Sequence, residues 1–197
     1  MRVVGGHLKG RALAGPKSGG LRPTSDKVRQ ALFNILEHGI DDFELNGAHV
    51  LDLFAGTGAL GLEALSRGAT FCVFVEQSPT ARAVIQDNLT TFGLGGTTRI
   101  FRRDATSLGP SLKQLKYSLL FLDPPYNQGL AELALASAHN GNWVETGAIA
   151  VVEEDAKATV ELPDHFRLLD QRTYGTTQIV IARYTAVPDT GLINGAS

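Results

Sequence analysis

A doubly wound α/β sheet, mostly parallel and with helices on both faces, is the fold class this chain predicts. Three observations carry it. Short apolar runs of strand length alternate with longer stretches of helical periodicity, a glycine-rich turn joins the first such run to a helix, and four runs are each followed by an acid. Strand–helix alternation builds parallel sheets, because parallel neighbours need a crossover connection. In open sheets of that kind, ligands lie beyond the carboxyl ends of the strands, near the point where strand order reverses. Asp52, Glu76, Asp104 and Asp123 all stand after such runs.

The elements follow in order. Residues 1–24 read as a basic, glycine-rich N-terminal arm in which Val3, Leu8 and Leu13 alternate with polar residues, as in a short hairpin. Residues 25–185 form the main domain. Thr24 or Ser25 caps a helix with Val28, Ala31, Leu32, Ile35 and Leu36 on one face, a core-packing stripe that needs no functional explanation. A strand over 48–54 gives way to the glycines and a helix over 59–67. A strand over 71–75 comes next, and Ser78 and Pro79 then open a helix that runs to about Phe92. Gly93 to Gly96 turn into a short strand near Arg99-Ile100-Phe101, and a strand over 118–122 follows. A helix over about 128–139, a strand from Ala148 to Glu153 and an antiparallel hairpin (167–174 and 177–184 around Gly175) complete the domain. Residues 186–197 are a turn-rich tail, expected to be disordered.

A chain of 197 residues can bury one substantial core. Its 43% hydrophobic and 19% charged residues are those of an ordinary globular protein. No apolar run approaches the ~20 residues that span a bilayer, and the N-terminus lacks the apolar region of a signal peptide. Cys72 is the single cysteine, so a disulfide within the chain is excluded, and its mid-strand place predicts a buried thiol. The five histidines show no ligand spacing, so no metal is expected. These features predict a cytoplasmic, metal-independent protein, and a monomer is expected.

The net charge of −2 hides an asymmetry. Arg2, Lys9, Arg11, Lys17, Arg22, Lys27 and Arg29 face a single acid, Asp26, in the first 29 residues, while acids outnumber bases in the rest. A basic arm on an acidic body suits phosphate contacts. The alternative is a solvated tail.

Two motifs carry chemistry. Leu119-Leu120-Phe121-Leu122 reads as a buried strand that stops on Asp123-Pro124-Pro125-Tyr126. Prolines cannot continue the ladder and bias the residue before them toward extended geometry, so the backbone must leave the sheet in a rigid loop. Asp123 and the Pro124 carbonyl are then acceptors and Tyr126 a flat ring, a set suited to an exocyclic amine on a planar base. A plain Asp-Pro turn is the competing reading. The second motif is Asp52-Leu53-Phe54-Ala55-Gly56-Thr57-Gly58, with Gly61 following. Gly56 and Gly58 permit positive φ and close approach to a ligand, Gly61 permits close helix–strand packing, and Asp52 can order either loop or ligand. Glu76, twenty residues after Gly56, stands where a carboxylate grips ribose hydroxyls. The glycine spacing alone also fits a dinucleotide oxidoreductase. A hydride transferase has no evident use for Asp123 to Tyr126, however, and the chain leaves little room for a second nucleotide half.

Asp-Leu-Phe-Ala-Gly-Thr-Gly, Glu76 and Asp-Pro-Pro-Tyr together resemble the motifs of S-adenosylmethionine-dependent amino-methyltransferases. Val3 to Arg11 and Leu21-Arg22-Pro23-Thr24 through Leu36 narrow the resemblance to the RsmD family, from about Arg2 to Tyr184. It implies a Rossmann-like sheet of seven strands, one of them antiparallel, and transfer of a methyl group to guanine N2 in small-subunit ribosomal RNA, free or in a ribosomal particle. It implies a cofactor site of Arg22, Thr24, Asp52, Phe54, Gly56, Gly58, Glu76, Gln77, Asp104, Ala105 and Asp123. Asp104 would accept from the adenine amino group, a helix N-cap being its alternative. The catalytic loop would be Asp123, Pro124, Pro125 and Tyr126, and RNA would meet Arg2, Lys9, Arg11, Lys17, Lys27 and Arg29. Adenine-N6 enzymes share Asp-Pro-Pro-Tyr, so adenine methylation is an alternative, as is a non-catalytic nucleic-acid-binding module.

Overall fold

The computed structural model describes residues 1–15, 25–111 and 114–187. Helix α1 (Asp26–His38) precedes the first strand, and its N-terminus is capped by Ser25, whose hydroxyl accepts from the Val28 N–H. The chain then alternates through β1 (His49–Leu53), α2 (Ala59–Ser66), β2 (Phe71–Val75), α3 (Pro79–Phe92), β3 (Thr98–Phe101), β4 (Tyr117–Leu122) and α4 (Leu130–Asn140). Strands β5 (Val144–Asp155), β6 (Phe166–Tyr174) and β7 (Thr177–Tyr184) follow without further helices. The seven strands form one sheet in the order β3-β2-β1-β4-β5-β7-β6, parallel except for β7, which runs antiparallel to both neighbours. Strand order reverses between β1 and β4, where Leu51 pairs with Leu120 and Leu53 with Leu122.

Successive strand residues point to opposite faces, so one apolar run fills two cores. Val50, Phe74, Phe121 and Val151 pack against α1, α2 and α3, while Leu51, Val73, Leu120 and Val152 pack against α4 and Trp143. Cys72 is buried in the first of these layers. β5 differs from expectation at both ends. It begins at Val144 rather than Ala148, pairing with Tyr117 before the register shifts, and ends at Asp155 rather than Glu153. Gly147, at φ 87°, lies in the stretch of β5 that spans this irregularity, where a glycine accommodates the left-handed backbone.

The N-terminal residues are bound to the body. Arg2 and Ala12 form an antiparallel bridge, and Val3, Leu8 and Leu13 are buried in the core layer of α1 and α2. The Ser66 hydroxyl donates to the Gly5 carbonyl at 2.6 Å and accepts from the Leu8 N–H at 2.9 Å. Further on, buried Asn88 of α3 accepts from the Ala14 N–H at 2.8 Å and donates to the carbonyls of Ala14 and Thr57, both at 3.3 Å. The segment therefore runs from the C-terminus of α2 to the glycine loop.

Arg29 departs from its expected role. Its side chain is fully buried and bonds to Asp26 at 2.7 Å, with its Nε 3.5 Å from buried Glu63. It also donates to the Arg2 carbonyl. Glu63 in turn pairs with Arg67 at 2.8 Å and accepts from the Val4 N–H. Arg29 thus ties the N-terminal segment to α1 and α2 and presents nothing to RNA; the helical stripe that faces the core includes it.

Candidate active site

The strand-order reversal places two loops side by side. After β1, Phe54 (φ 59°), Gly56 (φ 55°) and Gly58 (φ 77°) adopt left-handed backbone, which bends the chain into α2 within a few residues. A Cβ on Gly61 would sit 2.5 Å from the Phe74 ring and 2.6 Å from the Cys72 sulfur, so only glycine allows α2 this close to β2. After β4, Asp123-Pro124-Pro125-Tyr126 leaves the sheet as its prolines require.

A cavity of about 590 Å³ opens between these loops. Phe54, Gly56, Glu76, Gln77, Ala105, Asp123, Pro124, Pro125 and Tyr126 line it, joined by Val75, Arg103 and Leu130. Residues expected from several distant motifs thus meet on one wall.

The four acids divide. Glu76 accepts from the Gly56 N–H at 2.9 Å and from the Ser78 N–H at 2.7 Å, fastening the glycine loop to the end of β2. Asp123 stands half-buried on the cavity wall, and its carboxyl is held well above the usual range by burial and by the charges of Glu153, Asp52 and Glu154. Asp52 is buried beneath the loop, where it accepts from the Gly61 N–H at 3.0 Å; burial pushes its carboxyl up to about 8. Of its two expected roles, ordering the loop is the one this geometry provides. Asp104 caps a short 3-10 turn (Ala105–Ser107), accepting from the Thr106 N–H at 2.8 Å and the Thr106 hydroxyl at 2.7 Å. Those bonds, with one from Gln77, hold its carboxyl below the usual range.

The loop from Asp123 to Tyr126 is gripped from β5. The Tyr126 hydroxyl donates to Glu153 Oε1 at 2.9 Å and lies 3.3 Å from the Thr177 hydroxyl. The Asn127 N–H donates to Glu154 Oε1 at 3.0 Å. Sequence reasoning missed Glu153 and Glu154 as site residues, although the signal used elsewhere, an acid closing an apolar run, is present in Val151-Val152-Glu153-Glu154. It also missed Arg103, which lines the cavity with its guanidinium 5.6 Å from the Phe101 ring centroid and 5.8 Å from that of Trp143.

Of the expected RNA-facing residues, Arg2, Lys9, Arg11 and Lys27 are exposed. Arg11 lies over the Phe92 ring at 4.9 Å and donates to the Thr91 carbonyl. Arg22, Thr24 and Lys17, and the tail from 188 on, lie outside the described residues. Among the described residues, no group of three or more His, Cys, Asp or Glu is placed to hold a metal, and no helix is long and apolar enough to cross a membrane.

A seven-stranded sheet with a glycine loop after β1, an acid after β2 and Asp-Pro-Pro-Tyr after β4 defines a methyltransferase of the Rossmann-like class. The chain belongs to the family described as "Conserved hypothetical protein 95", whose model matches residues 1–183. Among its relatives is the "Putative rRNA methyltransferase YlbH" of Bacillus subtilis, 34% identical over 186 residues, which cover 92% of this chain and 97% of that protein. The "Ribosomal RNA small subunit methyltransferase D" of Escherichia coli K12 is 38% identical over 157 residues, covering 80% and 76%. Among solved structures, the "Putative methyltransferase yhhF from Escherichia coli" superposes with a TM-score of 0.80 at 31% identity, covering 95% of this chain and 99% of that one. A Salinibacter ruber RNA methyltransferase in complex with S-adenosyl-L-homocysteine shares the fold, with a TM-score of 0.63 at 12% identity over 85% and 97% of the two chains.

Proposed function

We propose that this protein methylates the exocyclic N2 amine of a guanine in small-subunit ribosomal RNA, acting as a cytoplasmic monomer on RNA that is free or part of a ribosomal particle. That it is an S-adenosylmethionine-dependent ribosomal RNA methyltransferase follows from its family and from its relatives. The observation that carries the finer reading is the meeting of Asp123, Tyr126, Glu76 and Gly56 on one cavity at the strand-order reversal.

The residues present fit the cofactor. A left-handed glycine loop offers close backbone approach, Glu76 offers a carboxylate for two ribose hydroxyls, and Val75, Ala105 and Leu130 offer an apolar wall for adenine. Phe54, Gln77 and Asp104 border that site in this reading, while Asp52 and Gly58 shape it from beneath. S-adenosylmethionine supplies an electrophilic methyl group. Everything else is positioning and electrostatics.

An aromatic amine is a weak nucleophile because its lone pair is delocalised into the ring. Acceptors at Asp123 and the Pro124 carbonyl favour a pyramidal nitrogen and stabilise the positive charge that develops on it. Tyr126 offers a face on which an unstacked base can lie. Guanine presents two adjacent donors, N1–H and the N2 amine, and an ionised carboxylate can accept from both. Those donors draw the raised Asp123 carboxyl back toward its ionised form.

The test is incubation of the protein and S-adenosylmethionine with ribosomal RNA from a strain that lacks this gene, followed by nucleoside mass spectrometry. N2-methylguanine is expected, and Asp123→Ala should abolish it while cofactor affinity is largely retained. Appearance of N6-methyladenine without N2-methylguanine would sink the guanine assignment.

A further inference from the structure

We propose that Glu153 is a positioning residue for methyl transfer: through the Tyr126 hydroxyl it holds the ring against which the target base lies. The inference rests on the reading of Asp123 to Tyr126 as the site of the target amine. Glu153 is 5% exposed, and a carboxylate is costly to bury without strong hydrogen bonds. Tyr126 provides one at 2.9 Å, and Thr177, itself buried, stands 3.3 Å from the same hydroxyl. Leu122, the last residue of β4, pairs with Val152, so Asp123 just beyond β4 lies next to Glu153, which is still within β5 and paired with Ile179 of β7.

The backbone of the loop needs no such contact. The prolines stiffen it, and Glu154 holds the Asn127 N–H. What remains free in that frame is rotation of the Tyr126 side chain, which decides where its ring face lies. An anchored hydroxyl removes that freedom before the base arrives, and pre-set geometry of this kind acts on the rate of the bound complex.

The experiment measures kcat and KM on ribosomal RNA, with binding of S-adenosylhomocysteine and of RNA, for Y126F, E153Q, E153A, Y126A and the Y126F/E153A double variant. Y126F and E153A should each lower kcat by roughly tenfold to a hundredfold, with S-adenosylhomocysteine affinity unchanged. The double variant should lose no more than the slower single one, since both remove the same hydrogen bond. E153Q should keep most of the rate, because its amide oxygen accepts from the same hydroxyl.

Additive losses in the double variant would overturn the proposal, as would an E153Q rate as low as that of E153A, which would assign the effect to charge. If E153A does not fold, Y126F decides, because it removes only the hydroxyl; a wild-type rate there also overturns it. An inactive Y126A beside a fully active Y126F would refute the anchoring alone, whereas a fully active Y126A would refute the stacking reading of the loop.

Discussion

Glu76 and Gly56, twenty residues apart in sequence, are joined by a 2.9 Å hydrogen bond from the glycine N–H to the carboxylate. The residue proposed to grip the ribose therefore also shapes the glycine loop proposed to cradle the cofactor. Glu76→Ala should weaken S-adenosylmethionine binding by about 1.5–3 kcal/mol, the scale of one hydrogen bond to a charged group. Glu76→Gln should lose less, since an amide oxygen still accepts from Gly56. Calorimetry checks both, and unchanged affinity in a folded Glu76→Ala protein would remove the residue from the site.

Buried Asp52 gives stability a pH dependence whose sign is fixed. Its carboxyl is pushed up to about 8 in the folded protein, against an ordinary value of 3.8. Between those values the unfolded chain is ionised and the folded one is not, so this group's contribution to stability falls as pH rises through the window. Asp52→Asn keeps an acceptor for the Gly61 N–H and removes the ionisation. It should be more stable than wild type at high pH, on the order of a few kcal/mol, with the gap closing toward acid. Denaturant titrations across the pH range measure it, and a gap independent of pH would refute the assignment.

The basic N-terminal segment can be tested only by removing charge. A deletion would also take away Val3, Leu8 and Leu13, which are core residues. Replacing Arg2, Lys9 and Arg11 by Gln should leave cofactor affinity intact and weaken RNA binding. Each lost phosphate contact should reduce the slope of log K against log salt by about 0.7–0.9. An identical slope in the triple variant would mean that these side chains are merely solvated.

Arg29 and Lys27, neighbours on α1, should separate cleanly. Arg29→Ala leaves Glu63 buried beside a lost partner and should cost about 3–5 kcal/mol of stability. Lys27→Ala removes an exposed side chain and should change stability by no more than about 0.5 kcal/mol. Chemical denaturation decides, and equal effects would contradict the buried network.

The local physics of the chain determined most of the fold. Apolar runs, glycines and prolines dictate strands, tight turns and breaks through steric limits that act over a few residues, so the strand at 71–75, the helix ending at Phe92 and the turn at Gly175 are legible without a structure. The same locality explains why Asp123-Pro124-Pro125-Tyr126 could be read as a loop leaving a sheet. Burial and partner choice depend on what the fold brings near. Arg29 read as one more cation in a basic run, yet packing of α1 on α2 encloses it with Glu63. Asp52 and Asp104 read in sequence, like Glu76, as acids after a strand, but Asp52 lies within β1, where the chain closes over it, and Thr106 occupies Asp104. Glu153 acquires meaning only because β5 lies beside β4, which brings residues 27 apart within one hydrogen bond of each other. Pattern specifies elements because sterics are local; the tertiary structure decides which charges are paired, because electrostatic partners are set by distance in space.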